Sequence, residues 1–148
     1  MLSVAEVHRL VLKHFADNWD FCPIIWEMQN VHEDIDKVLS SSEIRLVVSP
    51  FLEVSSVTPM EIPVSLAMRK VEFVFNILLA EPEGFGNKNT LEAIDSLNVL
   101  YSSKILRLSK DGIANHVMLD FGEVELGSSE LVNGKYLSMA LISCVSFF

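Results

Sequence analysis

Arg69-Lys70-Val71-Glu72-Phe73-Val74-Phe75-Asn76-Ile77-Leu78-Leu79 decides the fold, together with Ala80-Glu81-Pro82-Glu83-Gly84-Phe85-Gly86 and the helical spacing of Leu91, Ile94, Leu97 and Tyr101 that follows. Val71, Phe73, Phe75, Ile77 and Leu79 face one way, and Lys70, Glu72 and Asn76 the other. Period-two alternation over this length predicts a strand with one buried face. Pro82 and Gly84 stop it. A helix is then predicted from Asn89 or Thr90 to about Ser102-Ser103. Strand, short loop and amphipathic helix in direct succession point to a mixed α and β domain.

Toward the N-terminus, Ser3-Val4-Ala5-Glu6 fits a capping box. Val4, Val7, Val11 and Phe15, with Leu10 beside them, predict an amphipathic helix ending near Asp17-Asn18. Cys22 to Trp26 reads as a short extended segment, because Pro23 biases Cys22 away from helix. His32-Glu33-Asp34-Ile35-Asp36 and Ser40-Ser41-Ser42 read as a polar connection. Glu43 to Ser49 alternates, with Ile44, Leu46 and Val48 on one face. Pro50 interrupts that strand and places it at an edge or a bulge. Val54 to Leu66, punctuated by Pro59 and Pro63, reads as a long loop or arm within 54–68.

Toward the C-terminus, Lys104 to Lys110 predicts a short strand and Asp111-Gly112 a turn. Val117, Leu119 and Phe121 alternate, and the apolar phase then shifts to Val124 and Leu126. Such a shift at Gly122-Glu123 predicts a β-bulge. Asn133-Gly134 is a two-residue hairpin turn. Tyr136 to Phe148 is the return strand, apolar on both faces. Leu137, Met139, Leu141, Val145 and Phe147 lie on one side, and Ala140, Ile142, Cys144 and Phe148 on the other. A strand of this kind is covered twice, by helix and sheet core or by a neighbouring subunit. The expected fold is α+β: one domain over residues 1–148, an antiparallel or mixed sheet and two packed helices.

The chain has 148 residues, half of them apolar, with 11 Lys plus Arg against 20 Asp plus Glu and a net charge of −9. Disorder is excluded for most of the chain by the apolar content. A DNA-coating role is disfavoured by the charge. A mean hydropathy of +0.36 in so acidic a chain suggests apolar surface hidden by oligomerisation. Cys22 and Cys144 read as buried reduced thiols. The longest uncharged run, Tyr136 to Phe148, is shorter than the ~20 residues of a membrane-spanning helix. MLSVAEVHRL lacks the layout of a signal peptide, so synthesis in the cytoplasm is expected.

Catalytic and ligand motifs are weak. Gly84-Phe85-Gly86 lacks the third glycine of a dinucleotide loop, and Asn87 separates Gly86 from Lys88 where a phosphate loop needs GK[ST]. His32, Glu33, Asp34 and Asp36 lack the spacing of a calcium loop. His8 and His14 do not share the helix face that a zinc pair requires. No GxSxG elbow is present, and Cys22 has no histidine partner pattern. The expectation is no catalytic, cofactor-binding or metal residues, no cofactor and no enzymatic activity.

The order of elements resembles the tail terminator (tail-ring) proteins of long-tailed bacteriophages. The resemblance rests on the helix from Ser3-Val4-Ala5-Glu6-Val7, the segment Pro23-Ile24-Ile25-Trp26-Glu27, the strand Val71 to Leu79 running through Ala80 to Asn87 into the helix Leu91 to Leu100, and the closing hairpin. It implies a ring-forming structural virion protein, a hexamer at the head-proximal end of the tail. Such a ring caps the tail tube, ends its polymerisation and presents the docking surface for the head connector. The implied partners are other copies of the chain, the tail tube protein and a neck protein. DNA passes through without specific binding, and no membrane is involved. A head-side neck or tail-completion protein is the alternative, and a small ligand-binding domain or enzyme a more distant one.

Candidate residues follow. Tyr136, Ser138, Ala140, Ile142 and Cys144 are expected at the subunit interface. Val57, Met60, Ile62, Val64 and Leu66 are expected to contact tube or neck, since apolar residues on a loop mark contact sites. Glu81 and Glu83 are expected to face the lumen, where acidic walls repel a passing duplex.

Overall fold

The computed structural model describes residues 2–26, 31–41, 43–60, 68–84, 87–112 and 115–148. Among these residues are three helices and a six-stranded antiparallel sheet, in one α+β domain. The elements are α1 (Val4–Asn18), α2 (Val31–Leu39), β1 (Val47–Pro59), β2 (Arg69–Pro82), α3 (Lys88–Tyr101), β3 (Ile105–Ser109), β4 (His116–Leu126), β5 (Glu130–Val132) and β6 (Lys135–Phe147). The strand order is β1-β2-β6-β4-β3, and β5 pairs with the first residues of β6.

α1 starts on the predicted capping box. Ser3 Oγ accepts from the Glu6 N–H at 3.1 Å, and the Ser3 N–H donates to the Glu6 carboxylate at 2.8 Å. Lys110 reaches the same carboxylate at 2.6 Å and, with the Ser3 N–H, holds it down at about 2. Val7, Val11 and Phe15 face the core. The Asn133-Gly134 turn takes up φ +50° and +78°, the left-handed pair that a type I′ hairpin needs. The register of β4 against β6 shifts between Phe121 and Val124, where the phase change placed a bulge.

One face of the sheet carries the main core. Val71, Phe73, Phe75, Ile77 and Leu79 of β2, Ala140, Ile142 and Cys144 of β6, and Val117, Leu119 and Phe121 of β4 pack against α1 and α3. Tyr101 sits fully buried at its centre, edge-on to Phe75 and tilted against Phe121. Its hydroxyl hydrogen-bonds His14 Nδ1 at 3.1 Å.

Burial lowers the His14 pKa from its ordinary 6.5, against the pull of Asp17. The unfolded chain therefore takes up this proton first as pH falls. The contribution of neutral His14 is whole above 6.5 and is lost as pH drops toward the folded value. His14→Gln is expected to flatten the fall of Tm as pH drops below 6.5. An unchanged slope by calorimetry would assign that acid sensitivity to other groups.

Three expectations are corrected. Residues 32–36 are not a polar connection but part of α2. Ile35, Val38 and Leu39 share one helix stripe that packs on the sheet, while Glu33 and Asp34 sit in the first turn and Lys37 in the last, matching the helix dipole. The first strand does not run from Glu43 to Ser49 but begins at Val47 and passes through Pro50. Val48 turns its N–H and C=O outward, to Pro23 (3.1 Å) and Ile25 (2.7 Å). Pro50, two residues on, also faces outward, so its missing N–H costs no bond to β2. Finally, residues 54–59 are strand rather than loop, paired with Arg69 to Phe73 across a register shift at Val54/Ser56.

Candidate functional site

The second face of the sheet is only partly covered. At one end Val47, Ala80 and Leu137 lie under α2, with Ile35, Ile25 and Ile44 closing a small second core. Lys135, itself buried, forms an ion pair with Asp36 and ties α2 to the hairpin. Beyond α2 no described element covers this face. Pairing sets Leu141 beside Asn76, Val145 beside Glu72 and Asp120, and Ile105 beside Asp120. Ile105 is 64% exposed, Phe147 50% and Met118 49%. Single exposed apolar residues are ordinary, but several gathered on one sheet face are the pattern in which contact surfaces are found.

The five expected interface residues do not form that surface. Ser138, Ala140, Ile142 and Cys144 are buried in the protomer's own core, and Tyr136 is half-buried. The correction is one of face: β6 turns Ala140, Ile142 and Cys144 to the helices, and Met139, Leu141, Val145 and Phe147 to the open side. The serines obscured this in the sequence. Ser138 and Ser146 look solvent-facing, yet both are buried and bonded. Ser138 Oγ meets Ser129 Oγ at 2.6 Å, and Ser146 Oγ donates to the Met118 carbonyl at 2.6 Å. The odd-numbered positions carry fewer polar groups than the buried ones, so polarity alone selects the wrong side.

Of the expected tube or neck contacts, Val57 and Met60 are exposed, as is Val54. They lie on the outer part of the β1–β2 hairpin, where Met60 N–H bonds the Met68 carbonyl at 3.0 Å. Ile62, Val64 and Leu66 lie outside the described residues. Glu83 is exposed in the turn after β2.

Glu81 is corrected outright: it faces no lumen. It is fully buried and accepts from the Thr90 hydroxyl (2.8 Å), the Thr90 N–H (3.2 Å) and Asn89 Nδ2 (3.1 Å). Asn87, the N-cap residue of α3, makes no side-chain cap bond. A carboxylate on the preceding strand serves that helix start instead, where the dipole favours negative charge.

Little in the structure assembles chemistry. Cys22 and Cys144 are free thiols pushed up to about 12, mainly by burial, so neither forms a thiolate near neutral pH. Two histidines are engaged within the fold: His8 Nε2 bonds the Leu52 carbonyl at 2.8 Å, and His14 bonds Tyr101. Among the described residues, no three metal-ligating side chains converge. Surface concavities are shallow; one of about 270 Å³ lies between Trp19-Asp20-Phe21 and the Ser96, Val99 and Leu100 side of α3. No described helix is long and apolar enough to cross a membrane.

No protein-family model matches the chain, and no curated protein does. A solved structure aligns with 100% of this chain and 98% of its own length, at a TM-score of 0.66 and 11% identity. At that identity the likeness is one of fold: the α+β architecture with its antiparallel sheet is shared along the whole chain.

Proposed function

We propose that the chain is a structural virion protein, a tail terminator. It forms a ring at the head-proximal end of a phage tail, caps the tube, ends its polymerisation and offers a docking surface to the head connector. The observation that carries this reading is the open sheet face, where Ile105, Met118 and Phe147 stand exposed beside the half-buried Leu141 and Val145. A protomer that leaves Ile105, Met118 and Phe147 exposed on one sheet face is suited to association. A ring also needs a second, different surface. The outer β1–β2 hairpin, with Val54, Val57 and Met60 exposed, is suited to gripping the tube. The net charge of −9 suits a conduit through which DNA passes without sticking.

Light scattering across a concentration series tests the reading. A mass near six chains, or a monomer that becomes a ring when tube protein is added, supports it. A monomer indifferent to tube protein overturns it. Binding to portal but not to tube would mark a head-side completion protein instead. Phe147→Glu is expected to lower the mass to that of smaller species while leaving the thermal midpoint within a few degrees, because the side chain is half exposed. A ring unaffected by Phe147→Glu would move the interface off this face.

A further inference from the structure

The two edges of the sheet are treated differently. The β1 edge is guarded. The segment before α2 covers Val48, Pro50 and Pro59 carry no N–H, His8 occupies the Leu52 carbonyl, and a register shift breaks the strand at Val54/Ser56. These are the usual devices against unwanted strand addition. The β3 edge has none of them. The Lys104 carbonyl and the Lys110 N–H bond to β4 and its turn, so alternation turns the backbone groups of Ile105, Arg107 and Ser109 outward. Among the described residues, no hydrogen bond uses them.

β3 pairs only with the first part of β4, His116 to Asp120. Past it the edge steps back by one strand and leaves a recessed lane along Glu123-Val124-Glu125-Leu126 and on to β5. Gly127 N–H bonds the Met139 carbonyl at 2.9 Å, so Val124 and Leu126 turn their backbone groups away from β6 and into the lane. The two parts of the edge carry opposite charge. Lys104, Arg107 and Lys110 lie on or beside β3, three of the 11 cations of the chain. Glu123, Glu125 and Glu130 line the lane. Among the described residues, Lys104, Arg107 and these three glutamates make no ion pair, and Lys110 is bound to Glu6.

We infer that the occupant of the β3 edge is a second copy of this chain, which lays its acidic lane, Glu123 to Val132, along the basic β3 strand as an added strand. A two-fold axis normal to the sheet brings the projecting β3 of each copy into the recessed lane of the other, so the step itself is self-complementary. Pairing β3 with β3 of the second copy would set Arg107 and its neighbouring lysines against the same cations, which like-charge repulsion opposes. In the stepped arrangement the side chains agree by face. Arg107 and Glu125 are on the open face, while Leu106, Leu108, Val124 and Leu126 are on the helix face. The contact is isologous and closes at two copies. It is independent of the ring reading, and used together with a ring contact it would join rings in pairs.

The test is a charge swap in the full chain, read by sedimentation or light scattering over a concentration and salt series. Wild type should associate in pairs, more weakly at high salt. Arg107→Glu and Glu125→Arg alone should each weaken pairing by about tenfold or more. Both side chains are exposed and unpaired, so the variants should keep the wild-type melting curve. The double variant Arg107→Glu/Glu125→Arg should pair again. A protein that stays monomeric at every concentration overturns the inference. So does pairing that ignores both single variants, or a double variant that fails to recover. A six-chain ring unaffected by Arg107→Glu would overturn it while leaving the terminator reading standing. Two-chain species restored by the swap, with no response to tube protein, would do the reverse.

Discussion

Ile142→Asp is expected to destroy the folded protomer rather than to dissociate an assembly. Ile142 is fully buried between the helices and the centre of the sheet, paired across to Phe75 and Val124. A carboxylate there has no partner and no water. An unpaired buried charge costs several kcal/mol, roughly 5 or more. That approaches the whole stability of a domain, about 5–15 kcal/mol. The loss of apolar packing adds to it. Ile142→Val is the control that keeps the question measurable, with an expected cost of about 1 kcal/mol. Urea unfolding of both variants checks it. A soluble Ile142→Asp protein with a midpoint near wild type would show that β6 turns its other face inward.

Glu81→Leu has the next largest expected effect. Glu81 is wholly buried, and its carboxylate accepts three hydrogen bonds at the start of α3. Leucine fills the space but leaves the Thr90 N–H and hydroxyl with no acceptor. Stranded buried donors cost about 1–3 kcal/mol each at most, and more when the lost acceptor was charged. A total of about 3 kcal/mol corresponds to a Tm lower by roughly 10 °C in a domain of this size. Glu81→Gln keeps an acceptor oxygen and should lose about a third as much. If Leu and Gln behave alike, the carboxylate is not what holds α3 to β2. A surface acid facing a lumen would show neither loss, so the same pair of variants separates the two placements of Glu81.

Parts of the chain with a local cause were legible in the sequence. The capping box of α1, the Asn133-Gly134 turn, the bulge after Phe121 and the alternation of β2 depend on neighbours a few residues away. Each appears where the residues indicated. α2 was not legible, because its acids read as a solvated stretch. Its apolar stripe acquires meaning only when the far end of the sheet lies beneath Ile35. The hairpin from Val54 is also hidden in the sequence, since Pro50 and Pro59 look like breakers until β1 is known to be an edge whose outward positions need no N–H.

The candidate site was less legible still. Binary pattern established that β6 is apolar on both sides. It could not say which side the helices take, since both sides satisfy the same alternation. That choice belongs to the sheet as a whole: α1 and α3 both fall on the face of Phe75 and Ile142, and α2 is too short to cover more than one end of the other. Buried serines with partners on distant strands, Ser138 with Ser129 and Ser146 with Met118, then invert the polarity that a single strand displays. Local periodicity and composition are enough to establish the α+β class, the principal strands and turns, and the pairing of high apolar content with net acidity. Which face of β6 is core, where Glu81 points and which sheet edge is left free emerge from the folded chain alone, because each depends on the order in which distant strands pair.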